Sequence, residues 1–404
     1  MAKNLSIVAQ GISGDAGHLL GYNVTDNGIY TPAIGDVARD TTATYVAQDG
    51  TIKTAQENVA RVDYTNGVAE LLLEPASKNL IKYSEDFSKW LLDGNNGSVE
   101  SGFGSPDGGN NAYKLYNNGE SRAYRYVIVG NSSTSDATFS VYVKDASPFI
   151  EGDKEVIFKL TNSDFIIFNL DTEEFSNPTT SVSNYGFEYI DGFYRIYATF
   201  IGVSGNYISA IELLNAYMNN VGSGVYIFGA QIEQLPYPTS YIPNFGNSAG
   251  QTRGADSLTN FGSEQIIDSE SGILFFEGSV PTDEDSVWVA LTNDANSTTT
   301  TLSIGFEIGG SIRTYSRNNL GVIYTDAFTP LQTINSTYKF YLKYNETNVE
   351  FGVIGYYSNQ SNSFPIYGSN SFTQLTLSRT SSLPFYGRIR QVKHLPYNTD
   401  ITTL

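Results

Sequence analysis

Period-two alternation of apolar and polar residues, broken by turn signals about every 8–15 residues, constrains this chain more than any other feature. In Ala137–Asp145, Phe139, Val141 and Val143 fall on one side and Ser140, Tyr142 and Lys144 on the other. In Tyr338–Tyr344 the residues Tyr338, Phe340, Leu342 and Tyr344 alternate with Lys339, Tyr341 and Lys343. Successive side chains of a strand point to opposite faces, so this pattern predicts half-buried strands. Gly224–Gln234 is apolar at both parities, as a central strand covered on both sides requires. Many short strands with Gly- and Asn-rich turns predict an all-β chain of β-sandwich, jelly-roll or lectin-like type.

The chain has 404 residues, which favours more than one core. Its order along the sequence predicts an irregular N-terminal region (1–75), a carbohydrate-binding-module-like sandwich (76–245), a Gly/Ser/Asn-rich linker (246–265) and a second sandwich (266–404). Within 1–75, Asp49-Gly50 predicts a hairpin turn flanked by Tyr45 and Ile52, and Pro75 ends the run Leu71–Leu73. The stretch 78–94 is the best helix candidate, with Ser84 as its cap; the alternative is a loop that pins Phe87 and Trp90 into a core. In 246–265, Arg253 and Asp256 are expected to tether the start of the second sandwich through an ion pair or cap.

The formal net charge is −19, which repels phosphate backbones and argues against nucleic-acid binding. No apolar run approaches the ~20 residues of a membrane span, and the N-terminal residues lack the apolar core of a signal peptide. With no cysteine there is no thiolate nucleophile, disulfide or Cys-based metal site. The two histidines, His18 and His394, sit in no catalytic motif and read as structural. Glu233, Glu277, Glu307 and Glu350 lie in strand contexts where a glycosidase could place a carboxylate pair, but nothing singles out two of them. Asp283, Glu284 and Asp285 lie on a loop that offers oxygen ligands without the spacing of a calcium loop. Trp288 and Tyr315 could stack on sugars by residue type, though a core or rim position fits them better. The expectation is therefore no catalytic, cofactor-binding or metal residue, no cofactor, and no glycan-binding residue that the sequence can name.

Two stretches resemble a segment common in tailed-bacteriophage virion proteins. The first, Arg39–Trp90, carries Arg39 with Thr41-Thr42-Ala43-Thr44-Tyr45, Gly50 and Ile52, Asn58 with Arg61 and Asp63, Leu72-Leu73-Glu74-Pro75, and Asn79-Leu80. The second, from Gly229 to Asp256, carries Gly229-Ala230-Gln231 with Glu233, Thr239-Ser240-Tyr241-Ile242-Pro243, and Thr252-Arg253-Gly254-Ala255-Asp256. Ser77-Lys78, Asn244 and Gly254 depart from the usual pattern. The terminal stretch from Phe385 is similar to the last strand of concanavalin/laminin-G-like domains. The resemblance implies a non-enzymatic head-fibre, head-spike or tail-fibre protein, made in a host cytoplasm and carried on the virion. It further implies capsid or tail proteins as partners, host-surface glycans as weakly bound ligands, a homo-oligomer, and attachment through 1–75. A polysaccharide-degrading enzyme and a ligand-free structural brace are the alternatives.

Overall fold

The alternating stretches form strands in the computed structural model. It describes residues 5–8, 18–24, 30–92, 97–130, 134–161, 163–203, 205–262, 267–282, 287–293, 301–309, 311–317, 323–328, 335–355, 357–361, 371–377 and 385–404; in 5–8, 18–24, 30–34, 323–328, 357–361 and at 287 it does so by backbone alone. Asp283, Glu284 and Asp285 lie outside the described residues.

The chain divides into two units: 1–42, 55–75 and 254–404 form the first, and 43–54 with 76–253 form the second. The boundaries differ from those expected from the sequence. Residues of 1–75 do not stand before the sandwiches as a separate region. Glu70–Leu73 pairs antiparallel with Gly387–Leu395, more than 300 positions later, and Arg61–Asp63 pairs with Glu70–Leu73. Leu71 and Leu73 enter the core of the first unit. Local sequence could not show this, because the partner of the Leu71–Leu73 run lies at the far end of the chain.

The first unit is a sandwich. One layer is an eleven-stranded sheet, in which Gly272–Ser279 lies between Gly387–Leu395 and Tyr338–Tyr344. The other is a five-stranded sheet running Ile323–Phe328, Ser311–Arg317, Thr301–Glu307, Val287–Thr292 and Gln374–Thr376. Leu274, Phe276, Phe340 and Leu342 of the first layer and Val289, Leu302, Ile304 and Phe306 of the second share one core. The Phe276 and Phe340 rings stack at 4.6 Å, and Phe306 meets Phe340 edge-on at 5.4 Å.

The second unit is also a sandwich. Its six-stranded sheet runs Val182–Ile190, Phe193–Val203, Ser135–Asp145, Gly224–Glu233, Ala112–Tyr116 and Ser98–Phe103. Its five-stranded sheet runs Tyr124–Val129, Tyr207–Leu213, Glu155–Lys159, Phe165–Asn169 and Glu174–Ser176. Phe139, Val141 and Val143 enter the shared core, and the Phe139 ring stacks on Phe158 of the opposite sheet at 4.2 Å. Tyr142, of the other parity, packs in a second cluster with Val46, Ile52, Phe228 and Tyr241. The doubly apolar strand Gly224–Glu233 is interior to its sheet, as its pattern requires.

Two local expectations need revision. Among the described residues of 78–94 there is no α-helix: Ser77–Asn79 is a short strand, and Phe87–Lys89 makes a 3-10 turn capped by Asp86 rather than Ser84. Ser84 is instead buried against Asn244 and Tyr241. Phe87 and Trp90 are pinned in the core, which was the alternative reading. The 246–265 stretch also contains structure, with Gln251–Arg253 paired to Ser77–Asn79 and Ser257–Thr259 paired to Tyr30–Ala38. Three-residue strands carry too little alternation to be seen in sequence.

The motif residues hold each unit together through buried polar networks. In the first unit, Asp256 accepts hydrogen bonds from Arg39 Nη1 at 2.8 Å, from Arg61 Nη2, and from the Glu74 backbone N–H at 2.9 Å. Arg61 Nη1 donates to Glu74 Oε2 at 2.7 Å, and Arg39 also donates to the carbonyls of Thr41, Gln56 and Val59. In the second unit, Glu233 is fully buried and accepts from Ser77 Oγ and Gln231 Nε2, both at 2.6 Å, and from the Thr239 N–H and hydroxyl. Asn79 Nδ2 donates to the carbonyls of Ala230 and Ile242. Buried charges and amides are tolerated only when so satisfied. Asp256 thus has the expected ion-pairing role, but its partners are Arg39 and Arg61 of the region read as N-terminal, and Arg253 falls in the second unit, paired by backbone with Ser77.

Candidate functional site

The residues named from sequence do not assemble into a site. Glu233 belongs to the interior network just described. Glu277 accepts from Gln391 Nε2 at 2.5 Å, Glu350 from Tyr341 Oη at 2.7 Å, and Glu307 lies 4.0 Å from Arg313. Glu277, Glu307 and Glu350 are engaged by neighbours in their own sheets, and no two of the four carboxylates are paired with each other. Trp288 is fully buried and Tyr315 is half-buried on the five-stranded sheet. His394 is buried and shares a 2.9 Å hydrogen bond with Tyr344 Oη. Tyr344 spends its one proton on the Asp268 carbonyl, so His394 Nε2 is the donor to Tyr344. The backbone of His18 lies in His18–Val24.

A cleft of about 470 Å³ in the second unit was not anticipated. It is lined by Tyr83, Glu85, Asp86, Ser101, Gly102, Asn110, Asn111, Tyr113, Asn244 and Phe245. Local hydrogen bonds build it. Ser84 N–H donates to the Asn244 carbonyl and Asn244 N–H to Ser84 Oγ, which ties 83–85 to 244–245. Trp90 Nε1 donates to the Tyr83 carbonyl at 2.9 Å. Asn244 Oδ1 accepts from the Gly246 and Asn247 N–H groups, a side-chain-closed turn that fixes the backbone on either side of Phe245. Gly246 adopts φ +128°, which favours glycine. Phe245 is 76% exposed, and unlike the other exposed large apolar side chains it lines this cleft, where its ring is open to a ligand.

The acids of the cleft are held differently. Glu85 Oε1 accepts from Tyr241 Oη at 3.0 Å and Oε2 from Asn111 Nδ2 at 2.6 Å. Burial raises the Glu85 pKa above the ordinary carboxyl range, the two hydrogen bonds oppose the rise, and the charge of Asp107 adds to it. Burial pushes Asp86 the same way, but hydrogen bonds from Ser88 and Tyr113 outweigh it and hold Asp86 below its usual value. Burial, then the Asp86 carboxylate, raises the Tyr113 phenol.

The raised Glu85 pKa makes stability depend on pH. The folded state binds more protons at Glu85 than the unfolded state, so this contribution favours folding at acid pH and is lost as pH rises through the folded pKa. Relative to Glu85→Gln, the wild type is expected to lose stability in the second unit between about pH 4 and about pH 7. Urea denaturation at both pH values measures the difference; a gap independent of pH contradicts it.

Chemically, the cleft combines three aromatic rings, amide groups and two carboxylates. Sugars present C–H faces to aromatic rings and hydroxyls to amides and carboxylates, so this lining suits a saccharide. The sequence signal that could have found it is Phe245, an aromatic inside the polar loop stretch 243–250.

No protein-family model and no curated protein matches the chain. Among solved structures, the CBM40 of Ruminococcus gnavus IT-sialidase bound to α2,3 sialyllactose is 13% identical, covering 31% of this chain and 75% of that one at a TM-score of 0.27. The same CBM40 in another structure gives 13% identity, 31% and 76% coverage, and a TM-score of 0.28. Domains LG4-5 of the mouse laminin α1 chain are 9% identical, covering 68% of this chain and 88% of that one at 0.25. The neighbours are β-sandwich, lectin-like domains, and this chain is all-β.

Proposed function

We propose that the protein is a non-enzymatic structural protein of a tailed-phage virion, a fibre, spike or decoration of head or tail, that adheres weakly and multivalently to glycans through the cleft of its second unit. The observation that carries the glycan reading is the exposed Phe245 ring in one cleft with Tyr83, Asn111 and Glu85. The virion reading is supported by the motif resemblance over Arg39–Trp90 and Gly229–Asp256. Many copies on a particle make a weak site sufficient, because each further contact is effectively intramolecular. Capsid or tail proteins are the partners this reading requires. Mass spectrometry of purified particles is expected to find the chain; its absence from particles would remove the virion half of the proposal.

One observation favours a hydrolase as a second reading. Glu85 and Asp86 have pKa values displaced in opposite directions within the same cleft, which is what a general acid and its partner carboxylate need. Against it, both Glu85 oxygens and Asp86 Oδ1 already accept protein hydrogen bonds. Glu85→Gln separates the two. Adhesion predicts retained saccharide binding and no reducing-end product from either protein. Product released by the wild type and abolished in the variant would establish the hydrolase.

A further inference from the structure

The charged groups that line the cleft are Glu85 and Asp86, both acids; among the described residues no lysine or arginine lines it. The two nearest cations lie beside the cleft without lining it, and each acts on one of its residues. Lys82 Nζ sits 5.0 Å from the centroid of the Tyr83 ring, and Lys89 acts on Asp86 from the last residue of the 3-10 turn. The charge acting on Glu85 is that of Asp107, a third acid, whose own Oδ1 accepts from Ser105 Oγ and the Gly109 N–H. The polar complement is thus biased towards acceptors. Carboxylates accept hydrogen bonds only, so they suit hydroxyl and ammonium donors and oppose a second anion.

Resting on the adhesion reading above, we propose that the cleft discriminates by charge. It takes uncharged or amine-bearing saccharides and rejects carboxylated, sulphated or phosphorylated ones. An ammonium group would gain charge-assisted hydrogen bonds where an acid would meet like charge inside a partly desolvated site. Asp86→Asn removes one negative charge while keeping an oxygen to cap Ser88, so its fold should persist.

The test is the full-length protein on a saccharide array sorted by charge, with deacetylated and fully N-acetylated chito-oligosaccharides and oligogalacturonate as defined probes. Hits are expected among neutral and amine-bearing saccharides. The deacetylated probe should bind roughly tenfold more tightly than the acetylated one at low salt, with the gap narrowing as salt rises. In Asp86→Asn the same gap should shrink several-fold. Oligogalacturonate binding equal to the others, or a preference unmoved by Asp86→Asn, overturns charge selection and leaves adhesion standing. An array silent for every charge class overturns the adhesion reading itself, and this inference with it.

Discussion

Asp256→Ala is expected to unfold the first unit selectively. The Asp256 carboxylate is the junction between Arg39 and Arg61, whose side chains are both fully buried. Its loss leaves two interior guanidinium groups facing Glu74 as the remaining carboxylate of the cluster. Burial alone would lower the Arg61 pKa, yet the pull of Asp256 and Glu74 holds it above the usual value. Removing one partner of a buried ion pair costs about 3–5 kcal/mol, against a total stability of roughly 5–15 kcal/mol for a typical domain. The chain supplies its own reporters: of its two tryptophans, Trp288 is buried in the first unit and Trp90 in the second. Urea denaturation followed by fluorescence, in Trp90→Phe and Trp288→Phe backgrounds, reads each unit separately. The Trp288 transition should move to much lower urea and the Trp90 transition much less. An unchanged Trp288 midpoint contradicts the role given to the cluster.

The converse is expected for Glu233→Ala. Ser77, Gln231 and the Thr239 N–H would each lose an acceptor inside the second unit, where no exposed surface offers water. Each buried donor left unsatisfied costs about 1–3 kcal/mol, so the three together cost about 3–9 kcal/mol. Arg195 loses a stabilising charge as well; its pKa is raised by Tyr142, Glu188 and Glu233 against the opposing effect of burial. Glu233→Gln should cost less, about 2 kcal/mol, because the amide keeps one acceptor and the Ser77 hydroxyl can rotate to accept. Here the Trp90 transition moves most. If Ala and Gln are equally mild, Glu233 does not organise this core.

The two networks also explain what was legible in sequence. Alternation exposed long strands such as Ser135–Asp145 and Tyr338–Tyr344, because one-sided burial writes itself into every second residue, but Tyr30–Ala38 and Val182–Ile190 went unread. The strand read at Tyr338–Tyr344 is present in the first unit. The Asp49-Gly50 hairpin was legible too, since Ala43–Val46 pairs with Ile52–Ala55 and Gly50 sits at φ +84°. What sequence could not reveal is which distant segments meet. The Glu70–Leu73 strand finds its partner at Gly387–Leu395, so an apparent N-terminal appendage is part of a core. The motif stretches Arg39–Trp90 and Gly229–Asp256 contain the network residues: Arg39, Arg61, Glu74 and Asp256 in one unit, Asn79, Gln231, Glu233 and Thr239 in the other. Their spacing reflects folding, although Tyr83, Glu85, Asp86, Asn244 and Phe245 of the cleft lie in the same two stretches. The cleft draws on Tyr83, Asn111 and Phe245, brought together from three separated stretches by single hydrogen bonds that leave no periodic trace.

Phe245→Ala tests the central claim most directly. The ring is exposed, so truncation should leave the Trp90 unfolding transition in place. If saccharides stack on it, any array hit should weaken about tenfold, the equivalent of about 1.4 kcal/mol of lost aromatic contact. Undiminished binding in a folded Phe245→Ala protein would place the glycan site elsewhere and contradict the account.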